Sequence, residues 1–337
     1  MTSNRSATVR RLALLVWFCG FQLCLASAED KLDARQLIQF VNDVSDLSRI
    51  GGYEVSAVVV IGPGTHQEKR GQISIYRDKD RFRSELVLEQ YHQVRLILGN
   101  KLYIWRSSLA DLGPLARVNL FDRSWQLKSH SILNGKFGKV SAKKISGKDA
   151  YCFDTKGDSI SHTRFCVDAV QRFLLFRDSD FEKTEYSNYS SIEERQFPGE
   201  ITVRSQGKVV LAFTDIQVRK AEFSAASFAV PSRSMELETC DDVAPPKAID
   251  VSLPTSWRGR GGQISVFGIV EKDGSFRDAK IVLRDPDSST EKAFLDAARK
   301  WRYSPAMCGS TPVAYEMHTM FGMSSAIVTT VFPRPVR

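Results

Sequence analysis

The sequence has little of what metal, nucleotide or nucleophile chemistry draws on. Its five histidines, His66, His92, His130, His162 and His318, stand far apart. None is three or four residues from another or beside a cysteine, the spacing that marks a metal site. There is no Gly-x-Ser-x-Gly elbow, no phosphate-binding Gly-x-x-x-x-Gly-Lys-Ser/Thr string and no His-Glu-x-x-His. Two carboxylate pairs, Asp241-Asp242 and Glu193-Glu194, are adjacent in sequence. On a strand such neighbours point to opposite faces, so they read as solvated groups. Gly259 to Gly262 is glycine-rich, but no helix follows to hold a phosphate. The expectation is a protein that is not an enzyme: no catalytic residue, no cofactor and no metal.

Positive charge is also unconcentrated. The net charge is +8, with 47 Lys and Arg against 39 Asp and Glu. No basic stripe with interleaved aromatics appears, so nucleic acid is not expected as a partner. The longest apolar run is short. Residues 12–28 are uncharged and mostly apolar, but they number 17 and Gln22 interrupts them. A spanning helix needs about 20. Arg5, Arg10 and Arg11 precede this run, and Ala26-Ser27-Ala28 ends it in a small-x-small site. Residues 1–28 therefore read as a signal peptide, cleaved before Glu29. The alternative reading retains 12–28 as an inner-membrane anchor. Cleavage would remove three arginines, 47 to 44, and leave about +5 against the 39 acids. That allows a modest attraction to anionic headgroups.

Export gives the cysteines a meaning. Cys152, Cys166, Cys240 and Cys308 follow residue 28. An even count in an oxidising compartment predicts disulfides, with three connectivities open. Cys152 and Cys166 flank a hairpin, which favours that pair. Cys240–Cys308 would then tie a linker to the turn after a helix.

What is present is mostly strand. Leu37, Phe40, Val41, Val44 and Leu47 predict one amphipathic helix, stopped by Gly51-Gly52. From residue 53 to about 230, short runs rich in Val, Ile, Phe and Tyr alternate with period two, punctuated by Gly, Asn and Asp. Residues 119–133 predict a short helix. Four prolines between 231 and 262 predict a Pro/Gly-rich linker at 232–262. Beyond it lie a strand at 263–271, a turn at Asp273-Gly274 with both positions at positive φ, a return strand, a helix to about Lys300, and a strand at 312–323. The fold class is mainly β with α (α+β), in two domains at 29–231 and 263–323, with a tail at 324–337.

Residues 240–323 resemble a TonB C-terminal domain. The residues that carry the likeness are Gly262-Gln263-Ile264-Ser265-Val266, Asp273-Gly274, Ala297 through Tyr303, Pro305-Ala306, Gly309 and Pro312-Val313. The resemblance implies a small ββαβ module that accepts an extended peptide of an envelope protein by strand addition. The accepting edge would be Val313, Tyr315, Met317, Thr319 and Phe321. Residues 35–231 resemble the lipoprotein-carrier LolA/LolB-like fold, an open antiparallel half-barrel over helices. Arg81 through Leu86, Phe197-Pro198-Gly199-Glu200-Ile201 and Phe228-Ala229-Val230-Pro231 carry that likeness. It implies a partner that is a lipid or an acylated protein.

The strand pattern itself points the same way. Phe82, Leu86, Leu88, Leu96, Leu98, Tyr103, Trp105, Phe173, Leu175 and Phe213 alternate along strands that one helix cannot cover. Either the sheet closes on itself or an apolar concavity remains. The functional expectation is an exported, periplasmic binding or interaction protein. Its alternative is a membrane-anchored TonB-type energy transducer for outer-membrane transport.

Overall fold

The computed structural model describes residues 32–66, 68–108, 136–156, 162–180, 182–240, 243–255, 263–283, 288–322 and 325–330. The signal peptide or anchor, the 119–133 helix and the Gly259 to Gly262 stretch lie outside them.

Helix α1 (Ala34–Ser45) opens on a capping box. Asp33 accepts from the Gln36 amide at 2.8 Å, and the Gln36 side chain accepts from the Asp33 amide at 3.0 Å. Its buried stripe is Ala34, Leu37, Ile38, Val41 and Ser45. Phe40, expected in that stripe, is 42% exposed; Ile38 takes the place beside Leu37. Leu47 is buried in a following 3-10 turn, Leu47–Ile50.

Fifteen strands follow: β1 (Tyr53–Ile61), β2 (Lys69–Asp78), β3 (Arg81–Leu88), β4 (Tyr91–Leu98), β5 (Lys101–Arg106), β6 (Lys136–Phe137), β7 (Ser141–Ile145), β8 (Lys148–Lys156), β9 (His162–Asp168), β10 (Leu174–Ser179), β11 (Lys183–Ser187), β12 (Ser190–Ile192), β13 (Arg195–Phe197), β14 (Glu200–Ser205) and β15 (Lys208–Lys220). With β16 (Met235–Glu238), all but the β12–β13 hairpin form one antiparallel sheet. Its order is β16-β5-β4-β3-β2-β1-β15-β14-β11-β10-β9-β8-β6, with β7 beside β8. Among the described residues the two end strands do not pair, so the sheet is open there. Leu37, Ile38 and Val41 of α1 share a core with Val55, Val59, Ile73, Leu86, Phe165 and Val203, which makes the α1-bearing face the inner one. Cys152 and Cys166 are opposite each other in the β8–β9 register and form a disulfide, Cα atoms 4.2 Å apart.

The segment 232–262 is not a plain linker over its described residues. It is a strap of short strands. β16 adds to β5, β17 (Val243–Ala244) pairs with β22 (Ala306–Cys308), and β18 (Lys247–Asp250) pairs with β21 (Arg302–Ser304). Pro245 and Pro246 fall between the strap's strands, where no ladder N–H is needed. The Cys240–Cys308 disulfide fastens the strap to the end of β22.

That layer is a sheet of order β20-β19-β24-β25, from β19 (Gln263–Val270), β20 (Phe276–Leu283), β24 (Tyr315–Gly322) and β25 (Ser325–Thr330). The expected strand at 312–323 is divided. Thr311–Val313 forms β23, which pairs with β22. Helix α2 (Ser288–Ala298) contributes Phe294 and Ala298 to a core with Trp301, Val266, Met317 and Phe321. Trp301 is fully buried, and its indole N–H donates to the Ser252 carbonyl at 2.9 Å, from the strap. The turn before β20 departs from the two-residue hairpin. Only Gly274 has positive φ, at 80°, and its amide donates to the Glu271 carbonyl. A Cβ there would lie 2.0 Å from the Tyr303 carbonyl oxygen, so glycine is required for close approach as well as for φ.

Candidate functional site

Register decides which side chains look inward. On β3, Phe82, Ser84, Leu86 and Leu88 share one face, and they stand opposite Ile97, Arg95, Gln93 and Tyr91 of β4. Those in turn stand opposite Leu102, Ile104 and Arg106 of β5. Leu86, Leu88 and Tyr91 belong to the α1 core, so this is the inner face. Leu96, Leu98, Tyr103 and Trp105 were expected to line the same concavity as Phe82, but they occupy the opposite parity. The expectation followed the more apolar half of β4, Val94, Leu96 and Leu98. The half that turns inward carries Gln93 and Arg95 instead.

The inner face is covered twice. α1 lies over its middle. At the β3-β4-β5-β16 end, the second layer lies over it. Phe82, Ile97, Leu102, Ile104 and Leu237 pack against Ile269, with Ala314 at the margin. The contact uses the face of β19 and β24 turned away from α2, which carries Ser265, Phe267, Ile269, Glu316 and His318.

A small cleft of about 30 Å³, room for little more than a water or two, remains between the two layers. Leu102, Ile104 and Leu237 form its wall on the large sheet, and Val313, Ala314 and Tyr315 form the facing wall. Arg95, Glu316 and Cys240 also line it. Its lining is mainly apolar, and its volume is far below that of a preformed small-molecule site.

Charge is concentrated at the inner end. The Arg106 Nη2 donates to both Glu316 oxygens, at 2.8 and 2.7 Å, and its Nε donates to Gln93 Oε1 at 2.6 Å. Its guanidinium lies 5.2 Å from the Phe267 ring centre. Tyr91 also donates to Gln93 Oε1, at 2.6 Å, which fixes the amide with its NH2 turned away. That buried Nε2 has no hydrogen-bond partner among the described residues. Arg95 is 4% exposed. Burial pulls its pKa below the ordinary guanidinium value, against the attraction of Glu316 and with the repulsion of Arg106. Desolvation acts on Arg106 too, but Glu316 and Tyr91 outweigh it and hold its pKa above the ordinary value. Two buried guanidiniums thus converge on one carboxylate from the other layer.

None of these four residues was singled out in the sequence. The signal was there: polar Gln93 and Arg95 alternating with apolar Val94, Leu96 and Leu98. Without the sheet's curvature, that face reads as the solvated one.

Of the residues expected to form a peptide-accepting edge, four share one strand and Val313 stands on the strand before it. Tyr315, Met317, Thr319 and Phe321 lie on β24, which pairs with β19 along its whole length. β25 pairs with it again over Thr319 to Gly322. Met317, Thr319 and Phe321 are buried, and Val313 belongs to the neighbouring β23. The chain beyond 322 turns back as a strand and takes the edge, where a tail was expected. Ser265 and His318 are in side-chain contact across β19 and β24, but both are buried, and neither lines the cleft. Of the other histidines, His92 meets Glu85 at 2.7 Å and packs edge-on against Trp105. Among the described residues, no group of three or more His, Cys, Asp or Glu is placed to hold a metal, and no helix is long and apolar enough to cross a membrane.

No family model matches the chain, its TonB-like segment included, and no curated protein matches it. Solved structures give weak likenesses. A domain described as an outer membrane lipoprotein-sorting protein, from Vibrio parahaemolyticus, is 10% identical, covering 58% of this chain and 95% of its own, with a TM-score of 0.42. A LolA superfamily protein from Nitrosomonas europaea is 11% identical over 59% and 98%, at 0.41. A DUF1329 family protein from Desulfovibrio piger is 13% identical over 58% and 95%, also at 0.41. Likenesses of this size settle neither the chain's family nor its ligand.

Proposed function

We propose that this is an exported, non-enzymatic binding protein that holds an apolar ligand, a lipid or the acyl chain of an acylated protein, between its two layers. The observation that carries this reading is the apolar-lined cleft between the layers, walled by Leu102, Ile104, Leu237 and Val313; at about 30 Å³ it would have to widen, by movement of the second layer, to admit a chain. Each methylene buried there contributes about 0.8 kcal/mol, so a chain of several carbons suffices for useful affinity. The two disulfides fit an oxidising compartment, as export to the periplasm requires. The site's side chains favour binding over catalysis: its charged groups are paired across the layers rather than set around a nucleophile. A peptide partner, if one adds a strand, would use the β20 side of the small sheet, since β25 takes the other.

Titration of the protein with a fluorescent long-chain fatty acid tests this. Saturable binding and a raised melting temperature are expected. No saturation, with an unchanged melting temperature at high ligand, contradicts it.

A further inference from the structure

The cleft is walled by β5 and β16, at one end of the strand order. The other end carries a surface of a different kind. Between β9 and β10 the chain turns through residues 169–172, and nothing in that turn is slack. Asp168 Oδ1 accepts from the amides of Val170 and Gln171, at 2.9 and 2.7 Å. The Arg172 amide donates to the Asp168 carbonyl, and the Ala169 amide to the Asp149 carbonyl of β8. Arg172, with φ at 64°, brings the chain back toward β10. Its guanidinium lies 5.1 Å from the Tyr151 ring centre and 5.7 Å from that of Phe40. Every amide of the turn is thus satisfied within the protein, and the turn holds Val170 out at 83% exposure. Its hydrogen bonding asks for no valine there, since Gly, Asn, Asp and Ser are the usual residues of turns. Phe40, 42% exposed on α1, adjoins the turn through Arg172.

The flank of this apolar tip is basic. Lys143, Lys144 and Lys148 are exposed on either side of the β7–β8 turn, and Lys139 is exposed just before β7. The Lys148 ammonium lies 5.6 Å from the ring centre of Phe173, which closes the Val170 turn. None of these lysines is in an ion pair among the described residues. The neighbouring carboxylates are mostly committed. Asp168 is buried in its own turn, Asp154 is held by Arg164, and Asp43 beyond Phe40 is paired with Arg49. Four lysines and Arg172 stand against one exposed carboxylate, Asp149.

We propose that this end of the sheet docks on a membrane carrying anionic headgroups, with Val170 and Phe40 entering the interface and the lysines meeting the phosphates around them. The proposal goes beyond the cleft and does not depend on it. Charge complementarity selects an anionic partner. Two features favour a bilayer over an acidic protein. The apolar groups are single protruding side chains, not a patch of the size that a protein partner buries. The cations are mostly lysine, which protein interfaces avoid, and whose long stem lets the ammonium stay with the headgroups while an apolar neighbour sinks below them. Lysine on an outer strand also deters pairing by other strands, but that role asks nothing of Val170.

Cosedimentation with vesicles tests this, using the oxidised chain that begins at Glu29, so that residues 1–28 add no membrane affinity of their own. Vesicles of phosphatidylcholine mixed with phosphatidylglycerol should bind at least about tenfold tighter than phosphatidylcholine alone, and salt should weaken that binding. Lys144→Glu with Lys148→Glu should lower the affinity for mixed vesicles at least about tenfold. Lys208→Glu with Lys280→Glu, the same charge change at exposed positions elsewhere, should change it less than about twofold. Val170→Ser should weaken binding several-fold and leave its salt dependence unchanged. No binding to mixed vesicles by the unaltered chain overturns the proposal. Equal losses in the two lysine pairs overturn it in favour of diffuse charge attraction. An unchanged affinity in Val170→Ser overturns insertion. Binding of polyglutamate as tight as that of mixed vesicles, and indifferent to Val170→Ser, overturns it in favour of an acidic protein partner. All the substituted side chains are exposed, and the comparison on the unaltered chain decides the matter even if a variant fails to fold.

Discussion

At the scale of single residues, a few buried polar groups join the two layers. The Arg106–Glu316 pair joins the layers in a nearly dry setting, with side chains 11% and 8% exposed. Removing one partner leaves the other charge buried and alone. Arg106→Met and Glu316→Met should each cost about 3–5 kcal/mol, while the double variant should lie near the unaltered protein. Urea unfolding of all four proteins checks this, and additive losses would show that the pair is not coupled. Trp301 is the apolar counterpart. Trp301→Ala should cost about 3–5 kcal/mol through the cavity it leaves beside Phe276 and Phe321. The role of Trp301 is legible in the sequence, because a tryptophan ending an amphipathic helix has little to do but pack. The roles of Arg95 and Arg106 are not. Their inward orientation is set by the pairing of β3, β4 and β5 and by a second layer that comes some 200 residues later in the chain.

At the scale of elements, the period-two pattern located most strands of the large sheet, and the β-β-α-β order of the last segment was also legible. What the pattern could not give was the company each strand keeps. The prolines of the strap mark interruptions, but the short strands between them pair with β5, β21 and β22, and no local signal names those partners. The same holds for β25, which covers the edge assigned to peptide capture. Ending the chain after Gly322 should expose the β24 edge over Thr319 to Gly322 and cause self-association, seen as larger species in size-exclusion chromatography. An unchanged monomer would mean that β25 does not guard that edge. The disulfides divide by span. Cys152–Cys166 closes a separation of 14 residues and Cys240–Cys308 one of 68. Chain entropy gives about 3 and about 4 kcal/mol respectively. Replacing Cys240 and Cys308 together by serine should therefore lower the melting temperature more than replacing Cys152 and Cys166, and it should also loosen the cleft.

At the scale of the whole molecule, a second layer lies over one end of an open sheet, and the cleft between them is where the proposed ligand would lie. The strand periodicity left closure undecided and only the resemblance implied an open sheet, because closure depends on whether the two end strands meet. Here they are β16 and β6, far apart in the order. The compartment is a separate expectation: intact mass of the protein recovered from cells should match a chain beginning at Glu29, and a full-length mass in membranes would favour the anchor. The central claim, that the ligand lies between the layers, is tested most directly by filling that space. Ala314 lines the cleft from the second layer, at the margin of the core that joins the layers, so Ala314→Trp puts an indole where the proposed ligand would enter. Titrated with the fluorescent fatty acid, this variant should keep its far-ultraviolet circular dichroism and lose saturable binding. Binding as tight as that of the unaltered chain would place the ligand elsewhere and contradict the account.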